Sequence, residues 1–184
     1  MGIMIALPCH GGIVNEKTTM SLFNLGKLLV RNNIPHGLLT QANSSLITHG
    51  RSKCANFFIN NTDHEYLFFL DSDIGFNPED VLKLLSHNEP IVSGTYPMKT
   101  IPIRYCVDVL EPEERKGDLL KVGGNGMGFV MIHRNVFTDI AQKFPYLKYV
   151  PSTKDSNYPP TEAEMNNSYH YFAEEKIDDS FASE

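Results

Sequence analysis

Five apolar residues, Tyr66-Leu67-Phe68-Phe69-Leu70, run without interruption into Asp71-Ser72-Asp73 and then Ile74-Gly75-Phe76. A continuous aromatic-rich run of that length, closed by acids and a glycine, predicts a strand buried on both faces, as in the middle of a parallel sheet. Apolar segments flank it on both sides. Ile3 to Leu7 predicts a first short strand, which Pro8-Cys9-His10-Gly11-Gly12 breaks into a loop. Leu22, Leu25, Leu28 and Leu29 at helical spacing, with Lys27 and Arg31 toward the end, predict a helix from Thr18 to Asn32. Ile34 to Thr40 reads as a second strand, and Ser45 to Phe58 as a helix whose polar face shows His49, Arg51, Ser52 and Asn56. After the acid-closed strand, Asn77-Pro78-Glu79-Asp80 offers a cap, a proline for the first helical position and first-turn acids to a helix from Pro78 to His87. Pro90 to Tyr96 gives a fourth strand.

Strands alternating with helices of this length predict an α/β fold, a mostly parallel sheet with helices on both faces. Residues 1–95 then form a nucleotide-binding type of half-domain and residues 96–184 a second half, within a single domain. In that second half Arg104 to Leu110 reads as an antiparallel strand and Glu111 to Asp118 as a charged surface loop. Leu119 to Val122 and Phe129 to His133 read as two further strands separated by Gly123-Gly124-Asn125-Gly126-Met127-Gly128. Such a glycine cluster serves either close approach of backbone to a ligand or a β-bulge or hairpin. A helix from Asn135 to Phe144 starts at Asn135, a polar loop follows from Pro145 to Asn167, and Tyr169 to Ala173 returns as a strand. No internal repeat is present.

The pattern directs attention to the acids. In open α/β sheets ligands bind beyond the carboxyl ends of the strands. Asp71 and Asp73, two apart, project to one side of extended backbone. Two hard oxygen ligands suit Mg²⁺ or Mn²⁺, which keep several waters and share the remaining shell with phosphates. Acids after a strand also serve to cap the next helix, a task that Asn77 can perform here without them.

Composition narrows the alternatives. With 41% hydrophobic and 10% aromatic residues, 184 residues suffice for one sizeable core. A net charge of −6 without any Lys/Arg-rich run argues against nucleic acid as a partner. Cys9, Cys54 and Cys106 are odd in number and lack metal-type spacing, which suits a reducing, cytoplasmic compartment, with Cys9 and Cys106 near the core. Neither a signal peptide nor a membrane span is expected.

Taken together, the Ile-Ala-Leu-Pro opening strand, His49-Gly50-Arg51-Ser52 with Asn56, the strand into Asp71-Ser72-Asp73, Gly94-Thr95-Tyr96-Pro97-Met98-Lys99, and Gly126-Met127-Gly128-Phe129 resemble the GT-A family of nucleotide-sugar glycosyltransferases. The resemblance spans most of the chain and is nearest to small viral members, such as the amino-terminal domain of a large-DNA-virus enzyme that glycosylates a capsid protein. It implies a UDP-sugar donor, a glycan or glycoprotein acceptor, and Mn²⁺ or Mg²⁺. Leu7, Pro8, Cys9 and His10 would bind base and ribose, Arg51 the nucleotide or diphosphate, and Asp71 the ribose while Asp73 ligates the metal, with Ser72 between them. Tyr96, Lys99 and Gly126 to Phe129 would line the donor-sugar and acceptor side. His170 matches the extra metal ligand of some members or is structural, and His133 is equally ambiguous. Many relatives place a catalytic base in a Ser-Glu-Asp-type motif, and this chain stops at Ser183-Glu184, as if cut at its catalytic end. Asp178, Asp179 and Glu184 are the candidate bases, each reading more readily as a solvated surface acid, as most unpaired charges are. Three other classes compete: a haloacid-dehalogenase-like phosphatase, in which the first Asp is the nucleophile; a sugar nucleotidyltransferase, whose Gly-rich, Arg/Lys-bearing first loop is poorly represented by His10-Gly11-Gly12; and a nucleotide-sugar binding module without transfer.

Overall fold

The computed structural model describes residues 2–42, 44, 46–153, 159–173, 175–177 and 180–182. In chain order the elements are β1 (Ile3–Cys9), α1 (Glu16–Arg31), β2 (His36–Ala42), α2 (Ile47–Asn61), β3 (Tyr66–Leu70), α3 (Pro78–His87) and β4 (Ile91–Ser93), then β5 (Val107–Val109), β6 (Arg115–Lys116), β7 (Leu119–Leu120), β8 (Val122–Asn125), β9 (Phe129–His133), α4 (Arg134–Lys143), β10 (Lys148–Tyr149), α5 (Glu162–Asn166), β11 (Ser168–Tyr169), β12 (Glu175–Ile177) and β13 (Ser180–Ala182).

The central sheet has five strands in the order β2-β1-β3-β9-β4. β1 runs parallel to β2 and β3, and β9 lies antiparallel to β3 and β4. The fold is therefore the expected α/β class, a mixed, mostly parallel sheet flanked by helices. Side chains alternate across the strands and divide the core in two. Ile3, Ile5 and Leu7 of β1 with Phe68 and Leu70 of β3 face Leu25 and Leu29 of α1 and Val81 and Leu85 of α3. Met4 and Ala6 with Leu67 and Phe69 face Cys54, Ala55 and Phe58 of α2 and Phe137 of α4. Every residue of β3 is buried, as a strand covered on both faces requires.

Several boundaries differ from the sequence reading for identifiable reasons. β1 continues through Pro8 and Cys9, paired only with Gln41 and Ala42 of β2. Its pairing with β3 ends at Ala6, so a proline lacking an N–H sits where one neighbour is already gone. The two halves are not separate layers, because β9 inserts between β3 and β4 and completes the sheet from the second half. Its Phe129, Val130, Met131 and Ile132 are all buried, apolar enough for a strand with neighbours on each side. The antiparallel strand expected from Arg104 shrinks to β5, outside the main sheet, and pairs with β8. Gly123 and Gly124 belong to β8 itself, so part of the glycine run is strand.

At α3, Asn77 holds the N-cap position without a side-chain cap bond, whereas Pro78, Glu79 and Asp80 take the expected places. α4 is capped by His133, whose Nδ1 accepts from the Asn135 amide at 3.2 Å, rather than by Asn135. The expected loop from Pro145 to Asn167 contains β10 and also α5, which closes a capping box between Thr161 and Glu164. Among the described residues no helix is long and apolar enough to cross a membrane.

Candidate functional site

β3 delivers its last buried residue, Leu70, opposite Phe129, and the chain leaves the sheet at Asp71. The Asp71 amide donates to the Gly128 carbonyl at 2.9 Å, which keeps the acid at the strand end. The backbone then turns: the Ile74 amide donates to the Asp71 carbonyl at 3.3 Å, and the Ser72 carbonyl accepts from the Asn15 amide at 2.8 Å. This turn corrects the expectation of two acids projecting side by side from extended backbone. Asp71 points to a buried guanidinium, its Oδ1 3.3 Å from Arg51 Nη2. Asp73 points outward, its Oδ2 2.5 Å from Lys99 Nζ.

Glycines make the crowding around Asp71 possible. A Cβ on Gly128 would stand 2.6 Å from Asp71 Oδ2 and 2.7 Å from the Tyr96 hydroxyl oxygen, and one on Gly126 would stand 2.6 Å from Cys106 Sγ. The Tyr96 hydroxyl oxygen accepts from the Gly128 amide at 3.0 Å. Tyr96, Gly126 and Gly128 thus pack around Asp71 as supports to its carboxylate, a contact that the sequence reading, which set them on the donor-sugar and acceptor side, did not name. Gly75 has the same function on the α1 side, where a Cβ would meet Lys17 Cβ at 2.9 Å.

Burial raises the Asp71 carboxyl above the usual range; the nearby Arg51 charge and hydrogen bond oppose this and the Asp73 charge adds to it. Lys99 is raised by its bond to Asp73. Burial also raises the Tyr96 phenol. The ionised Asp71 is therefore held at a cost that an additional cation would relieve.

A cleft of about 220 Å³ opens at the carboxyl ends of β1 and β2 and the start of α2; neither Asp71 nor Asp73 lines it. Pro8, Cys9 and His10, the residues expected to bind base and ribose, line it, joined by Gln41, Ser44, Ile47 and Gly50, which the sequence reading did not assign to a site. Leu7 does not line it; at 1% exposure it belongs to the core beneath α1. Cys9 is buried, its thiol donating to the Leu7 carbonyl at 3.2 Å. At His10-Gly11-Gly12, positive φ at Gly11 and Gly12 turns the chain away from the strand.

Much of the polar face of α2 is buried. Arg51, Ser52 and Asn56 are each under 5% exposed. Asn56 makes paired bonds of 2.9 Å with the Tyr169 amide and carbonyl, and Ser52 accepts from the Phe172 amide. This face holds Arg51 toward Asp71 and docks the segment after α5. His170 stacks on Tyr149 at 3.9 Å with His49 6.2 Å away. Among the described residues no three His, Cys, Asp or Glu side chains gather as a metal group, so His170 does not join Asp71 and Asp73. His133 caps α4. Asp178, Asp179 and Glu184 lie outside the described residues.

No protein-family model matches this chain, and no curated protein matches it in sequence. Among solved structures it is similar to A197 from STIV, at 23% identity over 76% of this chain and 69% of that one, with a TM-score of 0.52, a likeness of fold. It also matches 4-diphosphocytidyl-2C-methyl-D-erythritol synthase from Anaerococcus prevotii at 8% identity, covering 82% of this chain and 80% of that one, with a TM-score of 0.45. A glycosyltransferase involved in glycosylation of the major capsid of PBCV-1 matches at 14% identity, covering 86% and 76%, with a TM-score of 0.35.

Proposed function

We propose that this chain is a glycosyltransferase that binds a UDP-sugar together with Mn²⁺ or Mg²⁺ and transfers the sugar to a glycan or glycoprotein acceptor. The observation that carries this reading is the placement of Asp71 and Asp73 directly after the carboxyl end of β3, with β2 and β3 on opposite sides of β1. That is the switch point where open α/β sheets bind nucleotides.

The residues present fit a hard divalent ion. Asp71 carries a carboxylate disfavoured by burial, Asp73 an exposed one held by Lys99, and as hard oxygen donors the two would leave room for waters and diphosphate oxygens. When bound, the ion supplies Lewis-acid stabilisation of the negative charge left on the departing nucleotide. The chain's own residues do the positioning. Arg51 fixes Asp71 from within the fold, and Tyr96 holds the Gly128 backbone against it. Pro8, Cys9 and His10 offer a narrow apolar and imidazole-lined wall to a base and ribose. Lys99, already drawn to the acids, is placed to meet phosphate oxygens as a point charge. The catalytic base belongs to Asp178, Asp179 or Glu184 in this reading.

Calorimetric titration of UDP and a panel of UDP-sugars, each with Mn²⁺ and with chelator, tests the reading. Metal-dependent binding of UDP, with one sugar ranked above the others, is the expected outcome. A folded sample that binds no nucleotide under either condition would overturn it. Metal-dependent UDP-sugar binding without transfer to any acceptor would favour a binding module instead.

A further inference from the structure

A hairpin leads away from the site to an exposed tip. Its stem is tied at three levels: the Cys106 amide donates to the Tyr96 carbonyl at 3.1 Å, Pro97 bridges Tyr105, and the Met98 amide donates to the Arg104 carbonyl at 2.7 Å. The base of the stem is anchored to the candidate site through the Tyr96 hydroxyl on Gly128 and the Gly126 amide on the Cys106 carbonyl. At the tip Ile101 is fully exposed, Ile103 is 70% exposed and Tyr105 58%. Full exposure of a branched aliphatic side chain describes a protrusion, so this tip is shaped to enter something rather than to receive it.

The charges of the hairpin select what it enters. Residues 97–105 hold Lys99 and Arg104 and no acid, in a chain of net charge −6. Lys99 is shared with Asp73, and Arg104 makes no ion pair among the described residues. The nearest acid further along, Asp108, lies on the stem opposite Gly124. A protruding set of isoleucines with a tyrosine and the flanking Arg104 matches the interfacial zone of a bilayer, where aliphatic side chains enter the acyl boundary, tyrosine sits at the headgroups and arginine meets lipid phosphates.

We propose that the hairpin of residues 97–105 docks the protein on an anionic lipid surface, bringing the mouth of the Asp71–Asp73 site to the headgroup plane. The proposal is independent of the donor reading, since docking needs no nucleotide and is measured without one.

The chain contains no tryptophan, so Ile101→Trp introduces a single reporter at a position that touches nothing. Full-length protein is mixed with vesicles of phosphatidylcholine alone or with added phosphatidylglycerol, and followed by co-sedimentation and tryptophan emission. The expected result is sedimentation and a blue shift with the anionic vesicles only, weakened by salt. Arg104→Gln should lower affinity about fivefold, and Ile101→Asp with Ile103→Asp by about tenfold or more for each isoleucine, with unchanged circular dichroism. Protein that stays in the supernatant with both vesicle types overturns the proposal, as does undiminished binding by the double variant. Equal, salt-insensitive binding to neutral vesicles removes the anionic specificity and overturns it as stated. A blue shift that grows with protein concentration without vesicles would assign the tip to a second copy of the chain.

Discussion

Arg51 places Nη2 3.3 Å from Asp71 Oδ1 while remaining only 4% exposed, so a guanidinium from α2 crosses beneath the sheet end to hold the first acid of the Asp-Ser-Asp turn. A buried cation loses its solvation and depends on its partners. Arg51→Met should cost about 2–3 kcal/mol, less than a fully buried pair because Asp71 is partly solvated. It should also weaken metal-dependent UDP binding. Urea denaturation and calorimetry on the same sample read both, and a variant as stable as the parent would show that the pair does not support the site.

Asp73 gives the opposite expectation. Its pair with Lys99 is exposed, and exposed pairs contribute little to stability. Asp73→Asn should leave the melting temperature nearly unchanged while abolishing Mn²⁺-dependent donor binding. Equal Mn²⁺-dependent affinity in the variant would remove Asp73 from the metal site.

Gly128 is predicted to tolerate no side chain. A Cβ there would stand 2.6 Å from both Asp71 Oδ2 and Ile74 Cδ1. Gly128→Ala should destabilise by about 1–3 kcal/mol through forced displacement of packed atoms and should weaken UDP binding with it. Tyr96→Phe, which removes the hydroxyl that accepts from the Gly128 amide, relieves only part of that clash. The double variant should therefore regain some, but not all, of the lost stability.

Arg134 closes the carboxyl end of α2. Its guanidinium donates to the carbonyls of Phe58 and Ile59 at 3.1 Å each, to Thr62, and through Nε to His64 at 2.9 Å. Phe58 and Ile59 are in the last turn, where a helix leaves its carbonyls without intrahelical partners, and Phe58 also accepts from the Thr62 hydroxyl at 2.9 Å. Arg134→Met should cost about 2–4 kcal/mol, the sum of several unsatisfied acceptors, measurable as a lower urea midpoint with unchanged slope.

His64 should make stability depend on pH. Burial first, then the charges of Arg134 and His36, push its pKa below the ordinary 6.5, with Asp63 opposing them. The folded state thus binds the proton less readily than the unfolded chain does. Its stability contribution is full above pH 6.5 and is lost as pH falls through the depressed value. Comparing denaturation at pH 7.5 and 5.5 should show a loss on acidification that is smaller in His64→Gln; an equal loss in both proteins would assign the dependence elsewhere.

What could be read locally and what could not divides along a physical line. The Tyr66–Leu70 run announces a central strand because burial on both faces demands continuous apolarity, and the acids that end it announce the site because they close that strand. α3 matches its expected bounds because Pro78 and the acids after it act within one turn. The capping box of α5 was equally local, Thr161 and Glu164 three apart, but lay inside a stretch read as loop.

The remainder depends on partners distant in the chain. The insertion of β9 between β3 and β4 is a choice among neighbours, and an apolar strand does not carry the identity of its partner. Periodicity names the polar residues of α2 but not their partners: Arg51 is held by Asp71 and Asn56 by Tyr169, 113 positions away. The turn after Leu70 sends Asp71 inward and Asp73 outward, since Gly128 leaves space for one carboxylate and Lys99 draws the other. Composition and pattern therefore determined the fold class and the strand that ends in acids. Tertiary structure decided which groups surround those acids, because contacts between residues far apart in sequence form only when the sheet assembles.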